Sequence, residues 1–312
     1  MTLEHWDLII IGAGPAGLTA GIYGARGGLD TLVLEEKLVG GAIVDTPLVE
    51  NYAGFEAVSG RDLADKMAEQ CKKAGAKINE LEKVIELDVE GERKTVKTTG
   101  AVYTASAVII ASGSHYKTLG VPGETEFRGK GVSYCALCDG PFFRGGNVLV
   151  VGGGNSAVVS ARYLANIASN VRLAHRRDQL RAEEALVTDL VTHGVEIMWN
   201  TELKEVKGDV KVKVAILEDN RTGETKEINV DGVFVQVGES PNSQIAKEAG
   251  AKVDEAGYIV VDNRQRTNID GVYAAGDVTK GPVKQIGTAV GQAIIAASEA
   301  FGYIKRPYYY KA

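Results

Sequence analysis

The sequence predicts an α/β fold of two similar three-layer domains, the second inserted into the first, each carrying a small antiparallel β insert. Three observations lead there. A strand, glycine loop, helix and second strand run from residue 7 to 35; the same order begins again at residue 147; and a strand and long helix after residue 268 return the chain to the first domain. Glu35 and His175 each stand 23 residues beyond the first glycine of their loops, so the repeat is an internal duplication.

In the first pass, Asp7 to Ile11 is a short apolar strand that breaks into Gly12-Ala13-Gly14-Pro15-Ala16-Gly17 before a helical pattern, and Asp30 to Glu35 is the next buried strand. Gly12, Gly14 and Gly17 have the spacing that permits a tight turn, close approach of backbone to a pyrophosphate, and close helix packing. The helix N-terminus attracts the phosphates. Glu35 ends the second strand, where a carboxylate accepts hydrogen bonds from a ribose, so the unit reads as Rossmann-like and dinucleotide-binding. Gly40-Gly41-Ala42 and Glu50 to Phe55 are loop-like. Ser59 caps a helix to about Ala74, whose Leu63, Met67 and Cys71 share one face, which makes Cys71 core packing. Strand-like runs broken at Glu90-Gly91 and Thr99-Gly100 form the insert and end in a buried strand, Ala107 to Ala111.

In the second pass, Val148 to Val151 leads into Gly152-Gly153-Gly154-Asn155-Ser156-Ala157, a helix to about Ile167, and a strand from Asn170 to Ala174. His175-Arg176-Arg177 replaces the ribose acid, and Arg181 follows one turn on. A carboxylate there would repel a 2′-phosphate, whereas guanidinium groups fork onto it, so the second loop is built for NADP. Runs from Leu203 to Val237, turning at Asn220 to Gly223, make the second insert. Asn268 to Ala275 then forms a strand ending in Gly276-Asp277, a carboxylate placed to meet a ribityl hydroxyl or a pyrophosphate-bound water. Lys284-Gln285 open a helix to about Tyr303 that packs on the sheet and, if its N-terminus points at a flavin, would stabilise the reduced, anionic ring. Pro307 to Ala312 reads as a docked aromatic and basic terminus.

Between the two glycine loops stands Cys135-Ala136-Leu137-Cys138-Asp139. Two thiols separated by two residues can close a small disulfide ring, and the following acid can exchange protons with them. The thiolate is the nucleophile in disulfide exchange, so such a pair works where a helix N-terminus or a charge lowers a cysteine pKa. A helical turn beginning near Tyr134 would carry both sulfurs. Half of a zinc site and two unrelated buried cysteines are the bland readings. A structural zinc usually needs four ligands, yet the remaining cysteine is Cys71 and no second close cysteine or histidine pair exists. No metal is expected.

Composition bounds the rest. The 312 residues are enough for two domains with separate cores, and 45% apolar with 24% charged residues is an ordinary globular balance. A formal charge of −6 argues against a sequence-independent hold on nucleic acid. No apolar run approaches the roughly 20 residues that span a bilayer. Three cysteines are too few for a secreted disulfide scaffold, so a cytoplasmic protein is expected.

Two dinucleotide loops, a CxxC-Asp between them and a late Gly-Asp together make the sequence resemble the low-molecular-weight thioredoxin reductases over essentially its whole length. The resemblance implies FAD on a discontinuous outer domain, residues 1–116 and 244–312, and NADPH on an inserted domain, residues 117–243, that carries the dithiol. By position, Gly12, Gly14, Gly17, Glu35, Asn51, Asp277 and Gln285 match the flavin site. Gly152, Gly154, Ala157, Arg176, Arg177 and Arg181 match the nicotinamide nucleotide site.

It further implies that Cys138 faces the flavin, that Cys135 attacks the disulfide of thioredoxin, and that Asp139 handles the proton. A homodimer and a rotation of the inserted domain about crossings near Ser114 to Glu124 and Gly238 to Ser243 belong to the same expectation. Phe142 and Phe143 are candidates for an apolar docking surface or for core packing. The chain departs from the family pattern at Ala42, Val159, Ser160, Glu239 and Lys284. Those changes bear on nicotinamide affinity and leave another electron donor as an alternative, and nothing in the sequence selects the acceptor. A flavin-bound redox sensor is the reading from another class.

Overall fold

The computed structural model describes residues 4–46, 48–91 and 93–305; the terminus expected over 307–312 lies outside them. Along β1 (Glu4–Ile11), Leu8 and Ile10 enter one apolar cluster while Ile9 and Ile11 enter another. A strand buried on both faces belongs to a parallel sheet covered by helices. α1 (Pro15–Arg26), β2 (Thr31–Leu34), α2 (Gly60–Ala74) and β3 (Lys77–Asn79) follow. Ser59 starts α2 by accepting the Asp62 N–H at 3.0 Å, and Gly75 ends it.

Leu63, Met67 and Cys71 of α2 are all buried. A side chain at Gly21 of α1 would strike the Cys71 sulfur, so the two helices meet there in close contact. Burial pushes the Cys71 thiol up to about 11. Iodoacetamide at about pH 8 should therefore modify two of the three cysteines in the reduced native protein and reach Cys71 only after unfolding. Mass mapping of carbamidomethylated peptides checks this; rapid labelling of Cys71 in the native protein would contradict its place in the core.

β4 (Val84–Asp88) and β5 (Lys94–Thr98) lead to β6 (Val102–Ile110), which pairs antiparallel with β5 and parallel with β1. The first insert is thus an antiparallel extension of the main sheet. After β7 (Ser114–Tyr116) come β8 (Val132–Ser133), α3 (Ala136–Asp139), β9 (Asn147–Gly152), α4 (Asn155–Leu164) and β10 (Asn170–Ala174). α4 stops short of the expected Ile167 because its last turn tightens, with Asn166 and Ile167 donating to carbonyls three residues back. α5 (Glu184–Thr192) and β11 (Glu196–Met198) precede the separate antiparallel sheet of β12 (Thr201–Gly208), β13 (Val212–Asp219) and β14 (Thr225–Asn229).

β15 (Gly232–Gln236), β16 (Glu239–Pro241), α6 (Gln244–Glu248), β17 (Val272–Ala274) and α7 (Ile286–Lys305) complete the chain. β17 is shorter than the expected run from Asn268. Thr267 and Val272 close a turn, the Val272 N–H bonding to the Ile269 carbonyl, and hold the residues between out of the sheet. β7 and β16 pair with each other.

By contacts the chain divides into Met1–His115 with Ser240–Ala312, and Tyr116–Glu239. The outer sheet runs β3-β2-β1-β6 with β17 beside β6, and the inner one runs β11-β10-β9-β15-β8. These pairings are parallel in both units. The duplication therefore extends to strand order. β17 and β8 hold the same place, although one enters late in its unit and the other early.

Candidate active site

β8 is held by β15, with Val132 against Val233 and Ser133 against Phe234. Just beyond it, Cys135 and Cys138 form a disulfide with Cα atoms 5.3 Å apart. Cys135 caps α3, its sulfur accepting the Cys138 N–H at 3.1 Å. The turn thus starts after Cys135 rather than near Tyr134, because the sulfur itself takes the capping position. When the disulfide opens, the same N–H favours a thiolate at Cys135.

Leu137 and Phe142 are about half exposed beside the dithiol, whereas Phe143 packs edge-on against Phe234 at 5.1 Å. Phe143 belongs to the core and Phe142 to the surface. Asp139 is partly buried, and desolvation lifts its carboxyl above the usual range while a hydrogen bond from Ser133 Oγ at 2.6 Å opposes the rise. Such an acid keeps its proton to higher pH than an exposed aspartate. Tyr134 stacks on Tyr116 at 5.3 Å and donates to Glu124 at 2.9 Å. Glu124, itself buried, also accepts the N–H groups of Leu119 and Gly120. The residue before the dithiol is thereby fixed. Among the described residues, no group of three or more histidine, cysteine or carboxylate side chains could hold a metal ion.

In the same unit, α4 starts at Gly154 without a side-chain cap, and a side chain at Gly154 would meet nothing within 4 Å. Uncapped amides beside open space form a cradle for a phosphate. Ala157 is fully buried, and a side chain at Gly152 would strike its methyl, so both positions stay small.

His175 ties this loop to the arginines. Its Nδ1 lies 2.9 Å from the Gly152 carbonyl oxygen and its Nε2 2.9 Å from that of Gln179, while any side chain at Gly153 would overlap the ring. The Arg181 N–H donates to the Gly153 carbonyl at 2.7 Å. Asn155 and Glu183 exchange two further bonds, at 2.9 and 3.0 Å. Arg176, Arg177 and Arg181 are exposed around this stitched loop. Nothing in the sequence singles out His175 or Asn155 for this work, except that His175 stands where the first unit has Glu35.

The outer unit repeats the cradle. α1 starts at Gly14 without a side-chain cap, and a side chain at Gly17 would overlap the Gly12 carbonyl. Glu35 accepts the Ala13 N–H at 2.7 Å and the Lys37 N–H at 2.9 Å. Its carboxylate is fixed at the glycine loop with lone pairs left for a ribose. Asn51 donates to the Gln285 side chain at 3.1 Å, joining two residues 234 positions apart at the entrance to α7. Asp277 follows β17 and Gly276. Lys284 donates to the carbonyls of Asp277 and Thr279 at 2.8 and 2.6 Å and lies over the Tyr258 ring, so it closes this loop. Both cradles, with their acid or arginine partners, fit dinucleotides.

Two such loops and a cysteine pair define a nucleotide-dependent disulfide oxidoreductase. Residues 6–293 match the pyridine nucleotide-disulphide oxidoreductase family, and the chain belongs to that family. It is 44% identical over 304 residues to the thioredoxin reductase of Bacillus subtilis, covering 96% of this chain and 95% of the relative. It is 41% identical to that of Peptoclostridium acidaminophilum, covering 96% and 97%. The crystal structure of thioredoxin reductase from Streptococcus pyogenes superposes with a TM-score of 0.93 at 40% identity, covering 98% of this chain and all of that one.

Proposed function

We propose that this chain is a flavoprotein disulfide reductase that passes electrons from NADPH through FAD and the Cys135–Cys138 dithiol to thioredoxin. The carrying observation is a disulfide beside a desolvated acid, in the same unit as a glycine loop that bonds to Arg181 and to His175, which exposed Arg176 and Arg177 follow. In this reading residues 1–116 and 244–312 bind FAD through Gly12, Gly14, Gly17, Glu35, Asn51, Asp277 and Gln285. Residues 117–243 bind NADPH, with Gly152, Gly154 and Ala157 at the loop and Arg176, Arg177 and Arg181 on the 2′-phosphate. FAD, when bound, supplies the two-electron relay between nicotinamide and disulfide.

The chain's own residues do the rest. Opening the Cys135–Cys138 bond consumes two electrons and one proton, which Asp139 gives to the Cys138 sulfur, so that Cys135 is left as the thiolate. The Cys135 thiolate attacks one sulfur of the acceptor disulfide and displaces the other. Cys138, returning its proton to Asp139, then attacks the Cys135 sulfur, which re-forms the internal disulfide and releases the acceptor as a dithiol whose two sulfurs take one proton from Asp139 and one from water. One disulfide is reduced and one is formed. Leu137 and Phe142 offer the apolar contact for thioredoxin, and a cytoplasmic homodimer completes the proposal.

Anaerobic titration of the purified flavoprotein tests it. NADPH should bleach the flavin at lower concentration than NADH, and oxidised thioredoxin should restore the colour. A flavin that dithionite bleaches and neither nucleotide does would overturn NADPH as donor; a bleached flavin that thioredoxin leaves unchanged would overturn the acceptor.

A further inference from the structure

Ser133 is buried at the end of β8, where its backbone is locked against Phe234. Its hydroxyl touches three groups of the dithiol segment. It lies 2.6 Å from Asp139 Oδ2, 3.1 Å from the Cys135 N–H nitrogen and 3.4 Å from the Cys135 carbonyl oxygen. A hydroxyl has one proton to donate and two lone pairs with which to accept. While Asp139 is ionised, the Ser133 proton points at the carboxylate and a lone pair takes the Cys135 N–H. Once Asp139 holds a proton on Oδ2, the direction reverses: the acid donates to Ser133 Oγ, and the serine proton turns to the Cys135 carbonyl. Asp139 is thus partnered in both charge states, and the amide that starts the dithiol turn stays held throughout.

We propose that Ser133 is the positioning residue for Asp139, a hydroxyl rotor that turns between the carboxylate and the Cys135 carbonyl as the acid releases and regains its proton. The inference rests on Asp139 as the proton donor to the dithiol. Desolvation raises the Asp139 carboxyl and the Ser133 hydrogen bond lowers it. α4, packed against α3, brings the Tyr163 ring against Gly140 beside it. Removing the hydroxyl leaves the desolvation unopposed, so the acid holds its proton to higher pH.

The test is the pH profile of thioredoxin turnover by the holoenzyme. In Ser133→Ala the basic limb of kcat/KM, where Asp139 loses its proton, should move up by about one pH unit. Flavin bleaching by NADPH should be unchanged, and Ser133→Thr, which keeps a hydroxyl, should restore the limb. In an Asp139→Asn background, Ser133→Ala should move nothing further. A slower Ser133→Ala enzyme with an unshifted limb would overturn the rotor and leave a purely structural serine, as would a shift that persists without Asp139. Wild-type turnover and pH profile in Asp139→Asn would instead remove the acid itself.

Discussion

Cys138→Ser is expected to bind its flavin, to bleach with NADPH as the parent does, and to lose thioredoxin reduction by at least about a thousandfold. The two halves of the result come from different parts of the chain. In the proposed reading, nucleotide capture rests on the loop at Gly152 to Ala157 and on the arginines, neither of which includes the dithiol. Turnover needs a second sulfur to expel the acceptor from Cys135, and a serine hydroxyl in its place is far too weak a nucleophile at neutral pH. The variant should instead trap thioredoxin as a mixed disulfide on Cys135, visible on a non-reducing gel and cleared by dithiothreitol. Ordinary turnover in this variant would exclude the dithiol from the electron path.

Arg176→Ala combined with Arg177→Ala is expected to raise the KM for NADPH about a hundredfold, since the proposed charge-assisted bonds to the 2′-phosphate would be lost. The KM for NADH should move little, because NADH has no phosphate there. The glycine loop stays in place in this variant, as the close approaches of the His175 ring nitrogens to the Gly152 and Gln179 carbonyls involve neither guanidinium. Raised salt should weaken NADPH binding in the parent and matter less in the variant, as expected for exposed charges. Steady-state kinetics with both nucleotides decides: an equal rise for both would mean that the arginines do not reach the phosphate.

The duplication was legible because both halves carry it in residue identity. Gly12 and Gly152 begin loops of the same spacing, and the apolar runs before them are continuous, as strands buried on both faces must be. The Ser59 cap and the alternation of turns and strands after residue 200 were legible for the same reason. The equivalence of β8 and β17 was not. Strands of two and three residues show no periodicity, and only their partners β15 and β6 assign them a place.

His175 and Ser133 were hidden for another cause. The imidazole lies against backbone carbonyls and the hydroxyl joins residues two and six positions away, so no pattern of side-chain types announces either. The Asn51–Gln285 bond, spanning most of the chain, is likewise a product of the fold alone.

The interrupted layout of the outer unit also sets an order of events during synthesis. A ribosome releases chain N-terminus first, and domains generally fold as they emerge. The strands β8 to β15 of the inner sheet lie within one continuous stretch, whereas β6 must wait for β17 and α1 for α7, more than 150 residues later. Glu35 and Asn51 are likewise made long before Asp277 and Gln285. The unit that holds the disulfide is therefore complete before the outer one, and if the outer unit takes the flavin as proposed, the newborn enzyme becomes yellow last.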